Sequence, residues 1–310
     1  MNKKFATEEQ CLEYLFNAKM KFGFRCKCGC TKYKRGAKET VKFASLKVKC
    51  SKCDTLQTAT SNTYFHNFKG DIVKAFAAIN EMCNQIYEGE VKRINTSNLF
   101  KFSYDKIVRE KKTYSIRKNE KHDIRRRIQN SLKHFLIDFE ENVEVLIIDL
   151  QVVFPKRKLK GFLVLGADIS EDNDILYLRG RIADKITNDF LSDFLDITYA
   201  DTPITIYCDK HNFNKNKIRI LGTEEISYHK IELASIKNIN SSPLLNVKKS
   251  FEEWCSQLGP KVVVSSLQLE LYEFIFFYGV MVDDSSDDAE EQLLERIIFD
   301  YHYESKGATE

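Results

Sequence analysis

The chain has 310 residues, of which 43% are hydrophobic and 30% are charged, a composition typical of a globular protein rather than a disordered or fibrous one. No apolar run approaches the roughly 20 residues that a membrane-spanning helix requires, and the first ten residues lack the apolar centre of a signal peptide. We therefore expect a cytoplasmic protein without a membrane partner.

Charge is distributed unevenly along the chain, although the net value is only +3. Residues 1–70 hold 15 Lys and Arg against 5 Asp and Glu, and residues 101–133 hold 12 against 4. Residues 283–300 hold 8 acidic residues and one arginine. Basic segments attract polyanions, because each neutralised phosphate releases condensed counterions. The two basic stretches predict a nucleic-acid partner.

The first predicted unit, residues 1–66, begins with a helix. Apolar residues recur at helical spacing over residues 5–20, and Thr7 with Gln10 three residues later has the pattern of a capping box. Cys50 and Cys53 follow with the C-x2-C spacing of a zinc knuckle. This unit is therefore predicted to combine a helix with a cysteine-rich zinc ribbon.

Three further cysteines lie about twenty residues upstream of that pair: Cys26, Cys28 and Cys30. A tetrahedral zinc site built on Cys50 and Cys53 needs two of the three. Gly29 follows Cys28, as a glycine usually follows the second ligand of a knuckle, which favours Cys30 as the spare thiol but leaves the choice open. Surrounding Lys and Arg side chains are expected to lower the thiol pKa values and favour thiolate ligands.

The second predicted unit, residues 67–140, has a helical pattern. An apolar stripe from Ile72 to Cys83 predicts one helix, residues 95–97 interrupt the pattern, and a basic helix is predicted from Ser103 to Arg117. This order is typical of a helix-turn-helix DNA-binding region. The residues expected to contact DNA are Arg109, Lys111, Lys112, Arg117, Arg125, Arg126 and Arg127.

The third predicted unit, residues 141–283, changes to an extended, β-branched pattern. Strands are predicted over 143–154, 160–169, 175–183 and 202–210, with an amphipathic helix over 187–199 before the last of them. Three meandering strands, a crossover helix and another strand are the order of an RNase H-like mixed sheet in an α/β fold. Helices near 244–258, 265–281 and 286–303 are expected to pack against it, and residues 284–310 form an acidic C-terminal helix and tail.

The N-terminal third resembles the zinc-ribbon transposases of the ISXO-like insertion-sequence group. The matching residues are Phe5, Thr7, Glu8, Glu9, Cys11, Tyr14, Leu15, Gly23, Phe24, Cys26, Cys28, Gly29, Cys50, Cys53, Gln57, Thr58, Thr63 and Phe65. The resemblance implies a protein that binds transposon ends in double-stranded DNA, acts as a homo-oligomer on DNA and carries a DDE nuclease domain for transposition and DNA recombination.

The same resemblance assigns two catalytic aspartates in the second half. Asp149 and Asp209 lie where the family has its first and second acidic residues, and two such carboxylates suit Mg²⁺-dependent phosphoryl transfer. Since the first and fourth strands of an RNase H-like sheet are neighbours, we expect the two carboxylates to lie side by side. Each could instead be a solvated turn residue at a strand end.

The third acidic position departs from the family. In the register set by Leu267, Gln268 and Glu273, the family's glutamate is replaced by Lys249. Glu252 or Glu253, one turn further on, could supply the missing carboxylate.

Three functions therefore stay open: an active transposase with zinc and magnesium, a transposase-derived DNA-binding protein without nuclease activity, and a zinc-ribbon adaptor whose acidic tail recruits a protein.

Overall fold

The computed structural model describes residues 5–21, 23–35, 42–87, 90–94, 118–133, 142–195, 203–208, 231–235, 239, 242–259, 262–282 and 289–299. Two compact units are formed. The first comprises Met1–Gln85, Ile94–His134 and Asp287–Glu310, and the second comprises Ile86–Arg93 and Phe135–Ser286. The first is called the N-terminal unit below and the second the sheet unit. Helices and a mixed sheet are both present, so the predicted α/β class is confirmed.

The N-terminal unit combines helices with a small sheet. Its described α-helices are α1 (Glu8–Lys21), α2 (Ile72–Cys83), α3 (Lys118–Ser131) and α8 (Ala289–Phe299), and Ala44–Leu46 forms a short 3-10 helix. Its strands are β1 (Tyr33–Arg35), β2 (Val48–Cys50) and β3 (Leu56–Gln57), which form an antiparallel sheet in the order β1-β2-β3.

Side-chain hydrogen bonds fix the beginnings of the first two helices. The Gln10 backbone N–H donates to the Thr7 hydroxyl at 3.2 Å, and the Thr7 N–H donates to the Gln10 side chain at 3.0 Å, which confirms the predicted capping box. The Asp71 carboxylate accepts from the Val73 N–H at the start of α2. The apolar stripe predicted from Ile72 to Cys83 forms α2.

The C-terminal helix α8 belongs to the N-terminal unit, where it packs against α1, α2 and α3. The Tyr64 N–H donates to the Ile297 carbonyl at 3.1 Å, and the Asn80 side-chain amide donates to Glu290 at 3.1 Å. The expectation that this helix packs against the large sheet was wrong, because its buried face, including Leu293 and Ile297, lies among the N-terminal helices. The predicted basic helix from Ser103 to Arg117 lies outside the described residues.

The sheet unit contains a strand pair, a larger sheet and four described helices. The pair is β4 (Ile86–Tyr87) with β5 (Glu90–Val91). The larger sheet contains β6 (Val143–Asp149), β7 (Phe162–Ile169), β8 (Ile175–Ala183), β9 (Ile204–Cys208) and β10 (Ile231–Ser235). The helices are α4 (Leu150–Val153), α5 (Asn188–Leu195), α6 (Leu244–Ser256) and α7 (Val264–Val282).

The five strands lie in the order β10-β9-β6-β7-β8. β6, β7 and β8 are successive antiparallel neighbours, as the meander predicted, whereas β9 is parallel to β6 and β10 is parallel to β9. The first and fourth strands are therefore adjacent at the centre of the sheet, with Ile147 opposite Cys208.

Alternating side chains cover the two faces of this sheet. Val143, Val145 and Ile147 pack on one face with Leu191 and Phe194 of α5. Gly180 lies opposite Leu165 on the other face, where a Cβ atom would come within 2.4 Å of Ile275 of α7. Helices therefore cover both faces, as expected for a central sheet whose strands are apolar on both sides.

The first strand was predicted over residues 143–154, but its last residues form a turn of helix instead. β6 ends at Asp149, whose carboxylate accepts a hydrogen bond from the Gln151 N–H and so caps α4. The other predicted strands and helices form within the described residues, but β4 and β5 lie in the segment 67–140 that the sequence pattern predicted to be helical. No helix there is both long enough and apolar enough to cross a membrane.

Candidate functional site

Four cysteine side chains converge in the N-terminal unit. The Sγ atom of Cys26 lies 3.5 Å from that of Cys53, the Sγ atom of Cys28 lies 3.5 Å from that of Cys50, and all four lie within 4.8 Å of one another. A tetrahedral ion with metal–sulfur bonds of about 2.3 Å holds its sulfur ligands about 3.8 Å apart. The four thiols can therefore hold a metal ion, and a four-sulfur donor set suits structural zinc.

Two backbone turns present these thiols. In the first, the Gly29 N–H donates to the Cys26 carbonyl at 2.9 Å, and Gly29 has a positive φ of 79°, which glycine adopts without steric cost. In the second, the Lys52 N–H points at the Cys50 sulfur at 3.4 Å. Pairing of Tyr33 with Cys50 between β1 and β2 brings the two turns together.

Of the three upstream cysteines, Cys30 is the one that lies outside this group. Its thiol donates to the Lys32 carbonyl at 3.5 Å, and its sulfur is not among the four that lie within reach of one ion. The choice left open by the C-x-C-x-C spacing is thus settled geometrically in favour of Cys26 and Cys28.

Backbone and hydroxyl groups, rather than Lys or Arg side chains, favour the thiolate form. Burial raises the pKa of Cys50, but hydrogen bonds from the Cys53 and Lys52 N–H groups outweigh it and lower that pKa to about 6. The Thr55 hydroxyl and backbone lower the pKa of Cys53. The predicted lowering is therefore found at only two of the four cysteines, with a different cause. Burial raises the pKa of Cys26. At Cys28 a backbone hydrogen bond from Cys30 is outweighed by burial and by the hydrogen bond with the Cys50 thiol, and the pKa rises to about 12.

The cysteine cluster rests on the apolar face of α1. Phe24, Cys26, Val48 and Cys50 form a buried cluster against which Phe16 and Met20 of α1 pack. Beside them Lys19 is only 2% exposed, and its ammonium donates to the Thr58 carbonyl at 2.6 Å and the Ser61 carbonyl at 3.2 Å. Burial lowers the pKa of Lys19 to about 8. Sequence reasoning missed this lysine, because helical spacing alone does not distinguish a buried lysine from a surface one.

Asp149 is the last residue of β6 and is half-buried. Its neighbour in the sheet, β9, runs in the same direction and ends at Cys208. Asp209 is the next residue in the sequence and lies outside the described residues, so the predicted pairing of the two carboxylates stays a prediction. The described strands that lead to the two aspartates are adjacent and parallel.

The two candidate third acids have different surroundings on α6. The Glu252 carboxylate pairs with the Lys248 ammonium at 2.8 Å one turn earlier. Glu253 is exposed and lines a groove of about 530 Å³ together with Asn246 and Lys249. Within the described residues, the cysteines form the one group of three or more potential metal ligands that lie close together.

Of the three consecutive arginines in α3, one side chain is exposed and two donate hydrogen bonds to backbone carbonyls. Arg125 is 3% exposed and donates to the Ile94 carbonyl at 2.6 Å. Arg127 donates to the Tyr64 carbonyl at 2.9 Å and to the His66 carbonyl at 3.0 Å. Arg126 alone of the three is exposed. The other predicted DNA contacts, at Arg109, Lys111, Lys112 and Arg117, lie outside the described residues.

Comparisons with protein-family models, with curated proteins and with solved structures find no match to this chain.

Proposed function

We propose that this chain is a DNA-binding protein of the insertion-sequence transposase type, in which a zinc ribbon precedes an RNase H-like nuclease domain. The observation that carries the proposal is the sheet order β10-β9-β6-β7-β8, with β9 parallel to the central β6 and Asp149 at the end of β6. This combination of a three-stranded meander with two added parallel strands is the strand order expected of an RNase H-like core.

The proposed catalytic centre lies at the end of β6. Asp149 and Asp209 would hold Mg²⁺, a hard ion that prefers carboxylate oxygens. The ion would activate the attacking oxygen and stabilise the leaving oxygen during phosphoryl transfer. Support comes from the adjacent, parallel strands β6 and β9, of which β9 directly precedes Asp209 in the sequence.

The N-terminal unit is proposed to recognise double-stranded DNA, with the protein acting as a homo-oligomer that holds two DNA ends. Zinc bound by Cys26, Cys28, Cys50 and Cys53 would fix the ribbon, because four thiolates tie two separate turns to one ion. Lys27, Lys32 and Lys52 are exposed around the cluster, where they are available to phosphates.

A second candidate function is DNA binding without cleavage. It is favoured by the contact between Glu252 and Lys248, which already engages one of the two candidate third acids. Lys249, at the position that corresponds to the family's glutamate, is exposed beside Glu253. With two carboxylates instead of three, the site would bind Mg²⁺ weakly.

A cleavage assay separates these candidates. Duplex DNA from the flanks of the gene is incubated with the wild-type chain and Mg²⁺, with EDTA as the metal-free control. The matched variants are Asp149→Asn and Asp172→Asn, the latter in an exposed turn of the same unit. The nuclease proposal predicts Mg²⁺-dependent strand cleavage that Asp149→Asn abolishes and Asp172→Asn retains.

Salt-dependent DNA binding without any cleavage would select the second candidate. Absence of both binding and cleavage would reject both candidates.

A further inference from the structure

A short basic loop lies at the same end of the sheet as Asp149. β6 ends at Asp149 and β7 begins at Phe162, and these two residues are direct partners in the antiparallel ladder. The Leu150 N–H donates to the Gly161 carbonyl at 2.9 Å and closes the base of the connection. The connection between residues 150 and 161 therefore lies at this end of the sheet, next to the proposed catalytic centre.

The connection is held in place by its own contacts. The Arg157 N–H donates to the Phe154 carbonyl at 2.9 Å, and Leu159 is 6% exposed. The Arg157 guanidinium turns inward, where it donates to the carbonyls of Cys255 at 2.8 Å and Leu258 at 3.1 Å, near the end of α6. An arginine that donates to the free carbonyls at a helix C-terminus stabilises the end of the helix and holds its own loop against it.

The remaining charged side chains of this loop face solvent. Lys156, Lys158 and Lys160 are all exposed. None of the three is in an ion pair with a carboxylate in the described part of the chain. Residues 150–161 contain no acidic residue. Three ammonium groups on a fixed loop, without a carboxylate partner among the described residues, form a local positive surface suited to a phosphodiester backbone.

We propose that this loop, residues 155–160, contacts the phosphate backbone of the DNA strand that is presented to Asp149. The inference rests on the proposed function and deepens it, since it assigns the sheet unit its own DNA-contacting surface. The lysines would position the DNA strand without recognising its base sequence, because contacts to phosphates carry no information about the bases.

The test measures DNA affinity against salt for the full zinc-loaded chain. A fluorescent duplex is titrated with wild type, with Lys158→Gln/Lys160→Gln, and with the control Lys92→Gln, which removes an exposed charge elsewhere in the same unit. Two lost phosphate contacts flatten the log–log salt slope by about 1.8 and weaken binding roughly 30-fold at about 0.15 M salt. The control retains the wild-type slope.

A second measurement tests the loop in the wild-type protein. Lysine acetylation read by mass spectrometry should show Lys158 and Lys160 protected by DNA, while Lys92 remains reactive. A wild-type slope in Lys158→Gln/Lys160→Gln, or equal acetylation with and without DNA, overturns the inference while leaving the proposed function standing. Wild-type protein that shows no salt-dependent DNA binding overturns the proposed function as well.

Discussion

Replacing Glu270 by glutamine should destabilise the sheet unit more than any exposed charge substitution. The Glu270 carboxylate receives two hydrogen bonds from the Arg93 guanidinium, at 2.7 and 2.9 Å, and one from the Trp254 indole N–H at 3.1 Å. Arg93 is 8% exposed and Glu270 is 7% exposed. Glutamine keeps the shape of the side chain but removes its charge and one acceptor oxygen.

The size of the effect follows from burial. Removing one partner of a buried ion pair leaves the other charge desolvated and costs about 3–5 kcal/mol. Since glutamine still accepts at one oxygen, we expect about 3 kcal/mol for Glu270→Gln. The matched control is Glu252→Gln, whose i,i+4 partner Lys248 has a side chain 20% exposed, and such pairs contribute only about 0.5 kcal/mol.

Urea denaturation monitored by tryptophan fluorescence measures both variants. Trp254 is the chain's single tryptophan, is 1% exposed and lies in contact with Glu270, so its emission reports on unfolding of this unit. The double variant Arg93→Met/Glu270→Met should be more stable than Glu270→Gln, because neither member of the ion pair is left as a buried charge without the other. Equal stability of Glu270→Gln and Glu252→Gln would refute the reasoning.

Three further predictions concern the N-terminal unit. Metal analysis should find about one zinc per chain in wild type and in Cys30→Ser but none in Cys50→Ser, because Cys30 lies outside the four-sulfur group; zinc retained by Cys50→Ser would contradict the assignment. Arg126→Ala should flatten the salt slope of DNA binding by about one unit, whereas the buried Arg125 should affect thermal stability when replaced by alanine; a slope unchanged in Arg126→Ala would count against DNA contact by α3. Because burial lowers the pKa of Lys19 to about 8 from 10.5, the unfolded chain holds more protons than the folded chain between those pH values. The stability of wild type relative to Lys19→Met, measured by chemical denaturation, should therefore rise from pH 8 to pH 10, and a constant difference would show that Lys19 does not titrate there.

Local sequence patterns predicted most of the regular structure. The capping box at Thr7 and Gln10, the apolar stripe of α2 and the β-branched runs of β6, β7 and β8 depend on residues close together in sequence. The C-x2-C pair predicted a metal cluster for the same reason, since one tight turn presents both thiols.

Features that depend on distant partners could not be predicted in this way. Arg125 belongs to a basic run that suggests an exposed surface, yet its guanidinium bonds the carbonyl of Ile94, 31 residues earlier. The position of α8 depends on contacts such as that between Asn80 and Glu290, 210 residues apart. β6 ends early because the Asp149 side chain caps a helix instead of extending the strand. Apolar periodicity does not distinguish these two conformations.

Binding of Mn²⁺, used in place of Mg²⁺, tests most directly whether the end of β6 is a carboxylate metal site. The free ion is measured by electron paramagnetic resonance while zinc-saturated protein is titrated, with wild type, Asp149→Asn, Asp209→Asn and the control Asp172→Asn in parallel. We predict that wild type and Asp172→Asn bind Mn²⁺ at a site that Asp149→Asn and Asp209→Asn both lose. Equal Mn²⁺ binding by wild type and Asp149→Asn would contradict this prediction.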